Sequence, residues 1–230
     1  MLPRAGLLAL ILSLAAQMAW AAPSMPVGRT GVPPVGWVAF CAERPLACGA
    51  DAEAVRAGAA QARAEREALL GGYPPPAPSA TKGPPPVADP PALTPALWAL
   101  LTAVTAQVNR DLRPRADSGP VDDWSLPLQD GVGAGDCEDY ALEKAQALLR
   151  RGVPRNALNL ALATTETGEH HAVLLVSTRS GDFVLDNRTD EVRRWDQVPY
   201  RWRARQVGGE PFAWAMTPRA VVGAASRAGR

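Results

Sequence analysis

The stretch Gly135-Asp136-Cys137-Glu138-Asp139-Tyr140 leads directly into the helix-forming run Ala141-Leu142-Glu143-Lys144-Ala145-Gln146-Ala147-Leu148-Leu149-Arg150. Cys137 therefore lies at the predicted start of a helix, where backbone N–H groups lack intrahelical partners and the helix dipole is positive. Both features favour the thiolate over the thiol, and the thiolate is the nucleophilic form of cysteine. We therefore predict a cysteine enzyme with Cys137 as its nucleophile.

A histidine pair, His170 and His171, follows the predicted helix and opens an apolar segment. From residue 158 onwards the apolar pattern has the period of two that is typical of strands. One helix that carries the nucleophile, followed by an antiparallel sheet that carries the base, predicts an α+β fold. The predicted strands are 158–164, 171–178 and 182–186, with weaker candidates at 191–195 and 212–216.

His171 is the predicted base. Because successive side chains of a strand point to opposite faces, only one of His170 and His171 can face the helix. A third group should orient the imidazole, and Asp186 and Asp190 both have the required parity. A tight turn at Ser180-Gly181 places Asp190 opposite His171 and Asp186 further along. Strand twist or a longer loop would change this register, so the spacing leaves both aspartates open.

Residues 1–22 have the composition of a secretory signal peptide. Arg4 precedes the apolar core Leu7 to Leu14, and Ala19-Trp20-Ala21 provides a small-x-small cleavage site. The alternative is a membrane anchor, but the apolar run only reaches the lower limit for a span and prolines follow it. The segment therefore predicts export followed by cleavage.

Export determines how the remaining cysteines are interpreted. An oxidising compartment favours a disulfide between Cys41 and Cys48, which leaves Cys137 as the free thiol. The alternative is a zinc site that uses Cys41 and Cys48. Zinc usually needs four ligands, and the sequence offers no second Cys or His pair of suitable spacing.

The chain has 230 residues and a formal net charge of +1. Its length suits one domain with appendages, and its charge gives no electrostatic reason to predict nucleic-acid binding. The catalytic domain is expected to open with a helix capped by Thr94 and begun by Pro95. After the signal peptide, the predicted organisation is an N-terminal segment at 23–72 (extended at 23–49, helical at 51–70), a proline-rich linker at 73–91, the catalytic domain at 92–217 and a tail at 218–230.

These motifs resemble those of the bacterial transglutaminase-like cysteine proteinases. The similar segments are Gly135–Ala141, His171-Ala172-Val173-Leu174-Leu175-Val176 and Gly181-Asp182-Phe183-Val184-Leu185-Asp186-Asn187. The resemblance implies a papain-like, transglutaminase-type core in which Cys137 is the nucleophile, His171 the base and Asp186 the orienting carboxylate. It therefore favours Asp186 over Asp190.

The resemblance also carries implications for biology. It implies a periplasmic protease that cleaves a large surface adhesin and thereby releases bacteria from biofilms. It implies control by an inner-membrane receptor that senses cyclic di-GMP. It further implies a requirement for calcium bound close to the nucleophile.

The residues themselves offer a physical basis for calcium. Asp136, Glu138 and Asp139 flank Cys137, and carboxylates this close together repel one another unless a hard cation binds them. Without the cation, these acids would raise the pKa of Cys137 and oppose its activation. Acidic residues at a helix N-terminus are also ordinary partners of the helix dipole, and this alternative stays open.

The sequence thus predicts a periplasmic cysteine endopeptidase that acts on an exported protein. Two alternatives remain. The first is a transglutaminase or amidase, in which the acyl-enzyme passes its acyl group on by acyl transfer. The second is a non-catalytic periplasmic binding module, in which Cys137 carries out no chemistry.

Overall fold

The computed structural model describes most of the chain, namely residues 24–70, 89–118 and 122–218. The predicted signal peptide, nearly all of the proline-rich linker and nearly all of the C-terminal tail lie outside these residues. Within the described ranges, no helix combines the length and apolar character needed to cross a bilayer.

Five helices accompany the sheet in the described ranges. They are α1 (Val35–Glu43), α2 (Pro45–Cys48), α3 (Ala52–Leu70), α4 (Pro95–Asp111) and α5 (Cys137–Leu149). The predicted helix at 51–70 corresponds to α3. The predicted start of α4 is also confirmed, because Thr94 Oγ1 accepts a hydrogen bond from the Leu97 amide and Pro95 is the first helical residue.

The strands form one antiparallel sheet and one short parallel pair. The strands are β1 (Thr30–Gly31), β2 (Arg113–Pro114), β3 (Ala134–Gly135), β4 (Leu158–Thr164), β5 (His170–Thr178), β6 (Gly181–Leu185), β7 (Arg193–Arg194), β8 (Arg201–Gln206) and β9 (Trp214–Met216). The antiparallel sheet has the order β1-β9-β8-β4-β5-β6-β7, and β2 pairs with β3.

The main hydrophobic core lies between the helices and one face of the sheet. Helix α5 packs against β5 and against α4. Leu148 of α5 and Leu101 of α4 are buried there with Leu174 and Leu185 of the sheet. The nucleophile helix therefore lies on an antiparallel sheet that carries the histidine, which confirms the predicted α+β fold.

A smaller core covers the opposite face of the sheet. Val173 and Leu175 of β5 are buried there beneath Trp195, Tyr200 and Trp202. Both faces of β5 are therefore covered, which explains why this strand is apolar on both faces in the sequence. His171 has the same parity as Val173, and so its side chain begins on the Tyr200 side.

The N-terminal segment differs from its prediction, because residues 23–49 are not simply extended. They form α1 and α2, joined by the predicted Cys41–Cys48 disulfide, which the structure contains. Pro45 begins α2 rather than breaking a helix, since proline is well suited to a first helical position. Two of the prolines that suggested an extended chain therefore lie at helix starts, Pro34 before α1 and Pro45 in α2.

This segment shares the main core with the rest of the described chain. Trp37 stacks on Phe40 and packs against Trp124, and its indole N–H donates to the Pro211 carbonyl at 2.6 Å. A Cβ at Gly36 would collide with the Trp124 ring. Helix α1 therefore fixes the position of the segment around Trp124.

The hairpin of β5 and β6 has a different register from the prediction. Thr178 pairs with Gly181, so the two turn residues are Arg179 and Ser180, and the predicted pairing of residue 179 with residue 182 is wrong. Thr178 Oγ1 accepts from the Ser180 amide and donates to the Gly181 carbonyl, which closes the turn one residue earlier. The parity of the strand is unchanged, and so Asp186 stays on the face of His171.

Strand β8 was not predicted. Its sequence, Arg201-Trp202-Arg203-Ala204-Arg205-Gln206, alternates arginine with Trp202 and Ala204, a period of two that the prediction overlooked. Arg205 is nevertheless buried, because its guanidinium lies 2.6 Å from Asp182 Oδ2 in a buried ion pair. From the sequence alone an arginine is expected at the surface, and the burial of Arg205 depends on its ion pair with Asp182.

Candidate active site

Cys137 is the first residue of α5, as predicted, and its sulfur lies next to the strand of His171. The Ala172 amide points at Cys137 Sγ at 3.4 Å. The thiol itself is 3.1 Å from Glu138 Oε2, which accepts its proton in a hydrogen bond. This contact, in which the thiol is the donor, favours the thiol over the thiolate.

The electrostatics of Cys137 differ from the helix-dipole expectation. Burial raises the pKa of the thiol, and the charge and hydrogen bond of Glu138 raise it further. The Ala172 amide acts in the opposite direction. With these side chains alone, desolvation and the adjacent carboxylate outweigh the helix start.

The two histidines separate as the strand period requires. His170 is exposed, whereas His171 is buried. His171 Nε2 lies 2.8 Å from Asp186 Oδ1, and the two side chains are 7% and 5% exposed. The structure therefore brings His171 and Asp186 together in a water-poor environment.

Asp186 directly follows β6, where it receives several donors. Its Oδ1 also accepts from the Arg188 amide at 3.0 Å, and its Oδ2 accepts from the Tyr200 hydroxyl at 2.6 Å. Burial alone would raise the pKa of Asp186, but His171, Tyr200 and the Arg188 amide together lower it below its ordinary value. Asp186 is therefore held as a carboxylate. Asp190 is exposed and instead accepts from Asn109 Nδ2 at 2.9 Å.

Tyr200 is a site residue that the sequence reasoning missed. Its ring packs edge-on against the His171 ring with centroids 5.5 Å apart, and its hydroxyl accepts from Arg188 Nη1 at 3.2 Å. Tyr200 immediately precedes β8, so the failure to predict that strand also hid its contact with His171. An aromatic residue at the start of a recognised β8 would have been the signal.

Of the three acids predicted to bind calcium, Asp139 is used internally. Its Oδ1 accepts from the Ser125 amide and hydroxyl, at 2.8 and 3.0 Å, and its Oδ2 accepts from the Asp136 amide at 3.2 Å. A Cβ at Gly135 would overlap this carboxylate, which explains the glycine at that position. Asp139 braces the start of α5, and both of its oxygens are already engaged.

Glu138 instead lies with two acids that the sequence reasoning did not select. Carboxylate oxygens of Asp117, Asp122 and Glu138 lie within 4.8 Å of one another. Asp122 comes from the segment around Trp124, whose indole N–H donates to Asp122 Oδ2 at 2.6 Å. Asp117 and Asp122 precede Cys137 by 20 and 15 residues, and the fold brings them to Glu138.

Asp136 adjoins this group. Its Oδ2 accepts from the Asp117 amide at 3.3 Å, whereas Asp136 Oδ1 and Glu138 Oε1 are buried without a hydrogen-bond partner in the described part of the chain. Burial raises the pKa of Asp136, and burial together with the neighbouring Asp136 raises the pKa of Glu138 to about 9. Buried, unpartnered carboxylate oxygens on groups whose pKa is raised are the features expected of a site built for a hard cation.

Lys144 is a further buried charge on α5. Its side chain is fully buried and its ammonium has no hydrogen-bond partner among the described residues, although it lies 5.5 Å from the centre of the Tyr140 ring. Burial lowers the pKa of Lys144 to about 7, against the opposing charges of Asp186 and Asp190. The folded protein therefore loses this proton at a lower pH than the unfolded chain does.

Lys144→Met is expected to change how stability depends on pH. Between about pH 7 and pH 10 the unfolded wild-type chain binds one more proton at Lys144 than the folded protein, so wild-type stability should rise with pH. Since each tenfold change in proton affinity corresponds to about 1.4 kcal/mol, the rise should reach several kcal/mol, and the variant should lack it. Urea denaturation of both proteins across this range measures the difference between their free energies of unfolding. The contributions of the other titratable groups are common to both proteins and cancel in that difference. Equal slopes in the two proteins would contradict the assignment.

Comparisons with known proteins give one family and one set of solved structures. The model of the family described as bacterial transglutaminase-like cysteine proteinase (BTLCP) matches residues 82–220. Calcium-bound Legionella pneumophila LapG is 23% identical with a TM-score of 0.47, over 59% of this chain and 77% of that chain. LapG in two other structures, one of them EGTA-treated, is 20% identical with a TM-score of 0.43, over 76% of this chain and 83% of that chain. No curated protein gives a significant match.

Proposed function

Because the chain belongs to the bacterial transglutaminase-like cysteine proteinases and is a cysteine peptidase, we propose that Cys137, His171 and Asp186 form its catalytic triad. Cys137 is the nucleophile, His171 the general base and Asp186 the carboxylate that orients the base. The observation that carries this proposal is the buried 2.8 Å contact between His171 Nε2 and Asp186 Oδ1, on the strand whose next amide touches Cys137 Sγ.

The proposed reaction gives each of these residues one step. With Nε2 donating to Asp186, His171 Nδ1 is the nitrogen that takes the thiol proton. The thiolate of Cys137 then attacks the peptide carbonyl carbon, and the imidazolium gives its proton to the leaving amine. Water hydrolyses the resulting acyl-enzyme with His171 again as base. The Cys137 backbone amide, at the start of α5, is positioned to stabilise the oxyanion.

The acids around Cys137 fit a calcium ion. We propose Asp117, Asp122 and Glu138 as its ligands, with Asp136 adjoining, since their oxygens converge and Asp136 Oδ1 and Glu138 Oε1 lack partners. Calcium prefers about six to eight oxygen ligands and supplies positive charge that favours a nearby thiolate. If Glu138 binds the ion, its carboxylate becomes a weaker acceptor for the Cys137 thiol, and so the hydrogen bond from Cys137 should weaken. Asp139 is then a brace for α5 rather than a ligand.

The cellular role is proposed from the family resemblance. We propose a periplasmic setting, a large surface adhesin as the protein substrate, and control by an inner-membrane receptor that senses cyclic di-GMP. The Cys41–Cys48 disulfide supports an oxidising compartment outside the cytosol. Residues 1–22 as the signal peptide and 92–217 as the catalytic domain are part of the same proposal. Since β1 pairs with β9, the N-terminal segment completes the sheet of that domain.

The pH dependence of Cys137 alkylation by iodoacetamide tests the triad. In calcium, wild type should be alkylated rapidly well below the free-thiol pKa of about 8.5, and His171→Ala should lose this reactivity. His170→Ala is the matched control, because His170 is the exposed neighbour on the same strand, and it should behave as wild type. Equal and slow alkylation in wild type and His171→Ala would mean that no thiolate–imidazole pair forms.

A further inference from the structure

The side chain of Asn109 ties helix α4 to the chain segment that begins at Asp186. Asn109, in the last turn of α4, directs its Nδ2 at the Asp186 carbonyl (3.1 Å), the Thr189 carbonyl (3.1 Å) and Asp190 Oδ1 (2.9 Å). These acceptors span the segment 186–190, which we call the Asp186 turn. One amide group thus gathers both ends of the turn and fixes them to a helix.

The Asp186 turn needs such an anchor because the β-ladder stops short of it. The pairing of β6 with β5 ends at Leu185, opposite Leu174. The Arg188 amide that donates to Asp186 Oδ1 belongs to the turn itself, so it cannot fix the turn to its surroundings. Tyr200 holds the carboxylate from the β8 side. Asn109 holds the main chain of the turn from the helix side, through its bonds to the Asp186 and Thr189 carbonyls.

Asn109 is half-buried, and the proposed reaction does not account for its polar side chain at this position. Asn109 Oδ1 is buried without a partner in the described ranges, and so is Lys144 Nζ on the neighbouring helix α5. Asp186 and Asp190, the two acids at the ends of the turn, both act on the charge of Lys144. Burying a polar group without a full set of partners costs free energy, which indicates that Asn109 is kept for its donors to the turn.

We propose that Asn109 is a positioning residue that holds the Asp186 turn so that the Asp186 carboxylate stays on His171. The proposal rests on the catalytic triad proposed above and adds a residue that acts on it from α4. Asn109 touches neither substrate nor the reacting atoms. Its effect on Cys137 should pass entirely through Asp186.

This route has a specific signature in the pH dependence of Cys137. A displaced Asp186 would stabilise the imidazolium of His171 less well, and the thiolate–imidazolium pair would then form only at higher pH. Once the pH is high enough for the thiol to ionise unaided, alkylation no longer depends on the pair. Loss of the anchor should therefore move the midpoint of the profile and leave its alkaline plateau unchanged.

The test is the iodoacetamide profile of the full chain in calcium, for wild type, Asn109→Ala and the control Gln107→Ala. Gln107 lies on an exposed side of the same helical turn and contacts Arg151. In Asn109→Ala the midpoint should rise so that alkylation near pH 6.5 slows roughly tenfold, as expected for a misplaced catalytic group. The plateau should match wild type, and Gln107→Ala should change nothing.

A second background separates positioning from general support of the fold. In Asp186→Ala, the further change Asn109→Ala should leave the midpoint where it is, because the group through which Asn109 acts is gone. An unchanged midpoint in Asn109→Ala alone, or an equal rise in both backgrounds, would overturn the proposal. If Asn109→Ala does not fold by circular dichroism, Asn109→Ser, which keeps one donor, replaces it with the same criteria. If Asp186→Ala itself does not move the midpoint, the proposed triad fails instead, and that result is distinguishable.

Discussion

Removal of calcium by EGTA is expected to slow the alkylation of wild-type Cys137 near pH 7 by roughly 100-fold or more, since each unit of thiol pKa changes the thiolate fraction tenfold. Burial and Glu138 already raise the pKa of this thiol when only the side chains of the protein are considered. Glu138 both accepts the Cys137 proton and lies with Asp117 and Asp122. Without a cation, these acids should keep Cys137 protonated at neutral pH.

The variant Glu138→Gln makes this prediction sharper because it has opposite signs in the two conditions. In EGTA and above about pH 9, where Glu138 is ionised, the variant should react faster than wild type, since the charge and hydrogen bond that raise the pKa of Cys137 are removed. In calcium it should react more slowly than wild type, since a proposed ligand is lost. Alkylation rates of both proteins in both conditions provide the measurement. A variant slower than wild type in EGTA would exclude Glu138 as the group that restrains the thiol.

Asp139→Asn is the matched control for this experiment. Asp139 accepts bonds from Ser125 and from the Asp136 amide, so both of its oxygens already take part in hydrogen bonds within the protein. The control should lower thermal stability while it keeps the difference between calcium and EGTA. If Asp139→Asn instead loses the calcium dependence and keeps its stability, Asp139 is a calcium ligand. That result would contradict its role as a brace.

The part of the site that the sequence could predict is the part with local causes. The helix start at Cys137 follows from residues adjacent in the chain, and the separation of His170 from His171 onto opposite faces follows from strand parity. The strand Leu158–Thr164 was predicted with its observed bounds. The family resemblance, resting on these same motifs, is confirmed by the matched family model.

The rest depends on contacts that no local pattern encodes. The acids Asp117 and Asp122 join Glu138 only because α1 and Trp124 fix the loop that precedes α5. Tyr200 packs against the His171 ring from the position just before β8, a strand that was not predicted. Helix-dipole reasoning at Cys137 was local too, and it leaves out burial and Glu138, which raise the pKa of this thiol in the direction expected of the flanking acids without a cation.

Asp186→Ala and Asp190→Ala provide the comparison that the sequence left open. Asp186 is buried, lies 2.8 Å from His171 Nε2 and is held as a carboxylate by its donors. Its replacement is expected to lower kcat for peptide cleavage by roughly 10²- to 10⁴-fold with little change in KM, because the imidazole loses its orientation and the imidazolium loses its counter-charge.

Asp190→Ala should cost far less, because Asp190 is exposed and its carboxylate accepts from Asn109 rather than contacting His171. Removing one of three acceptors leaves Asn109 bound to the Asp186 and Thr189 carbonyls, and so the turn should keep its place. Cleavage of casein, with new N-termini counted by amine labelling, measures both variants against wild type. A larger loss in Asp190→Ala than in Asp186→Ala would mean that the active conformation uses the register with Asp190 opposite His171, and the 2.8 Å contact of Asp186 would then be structural.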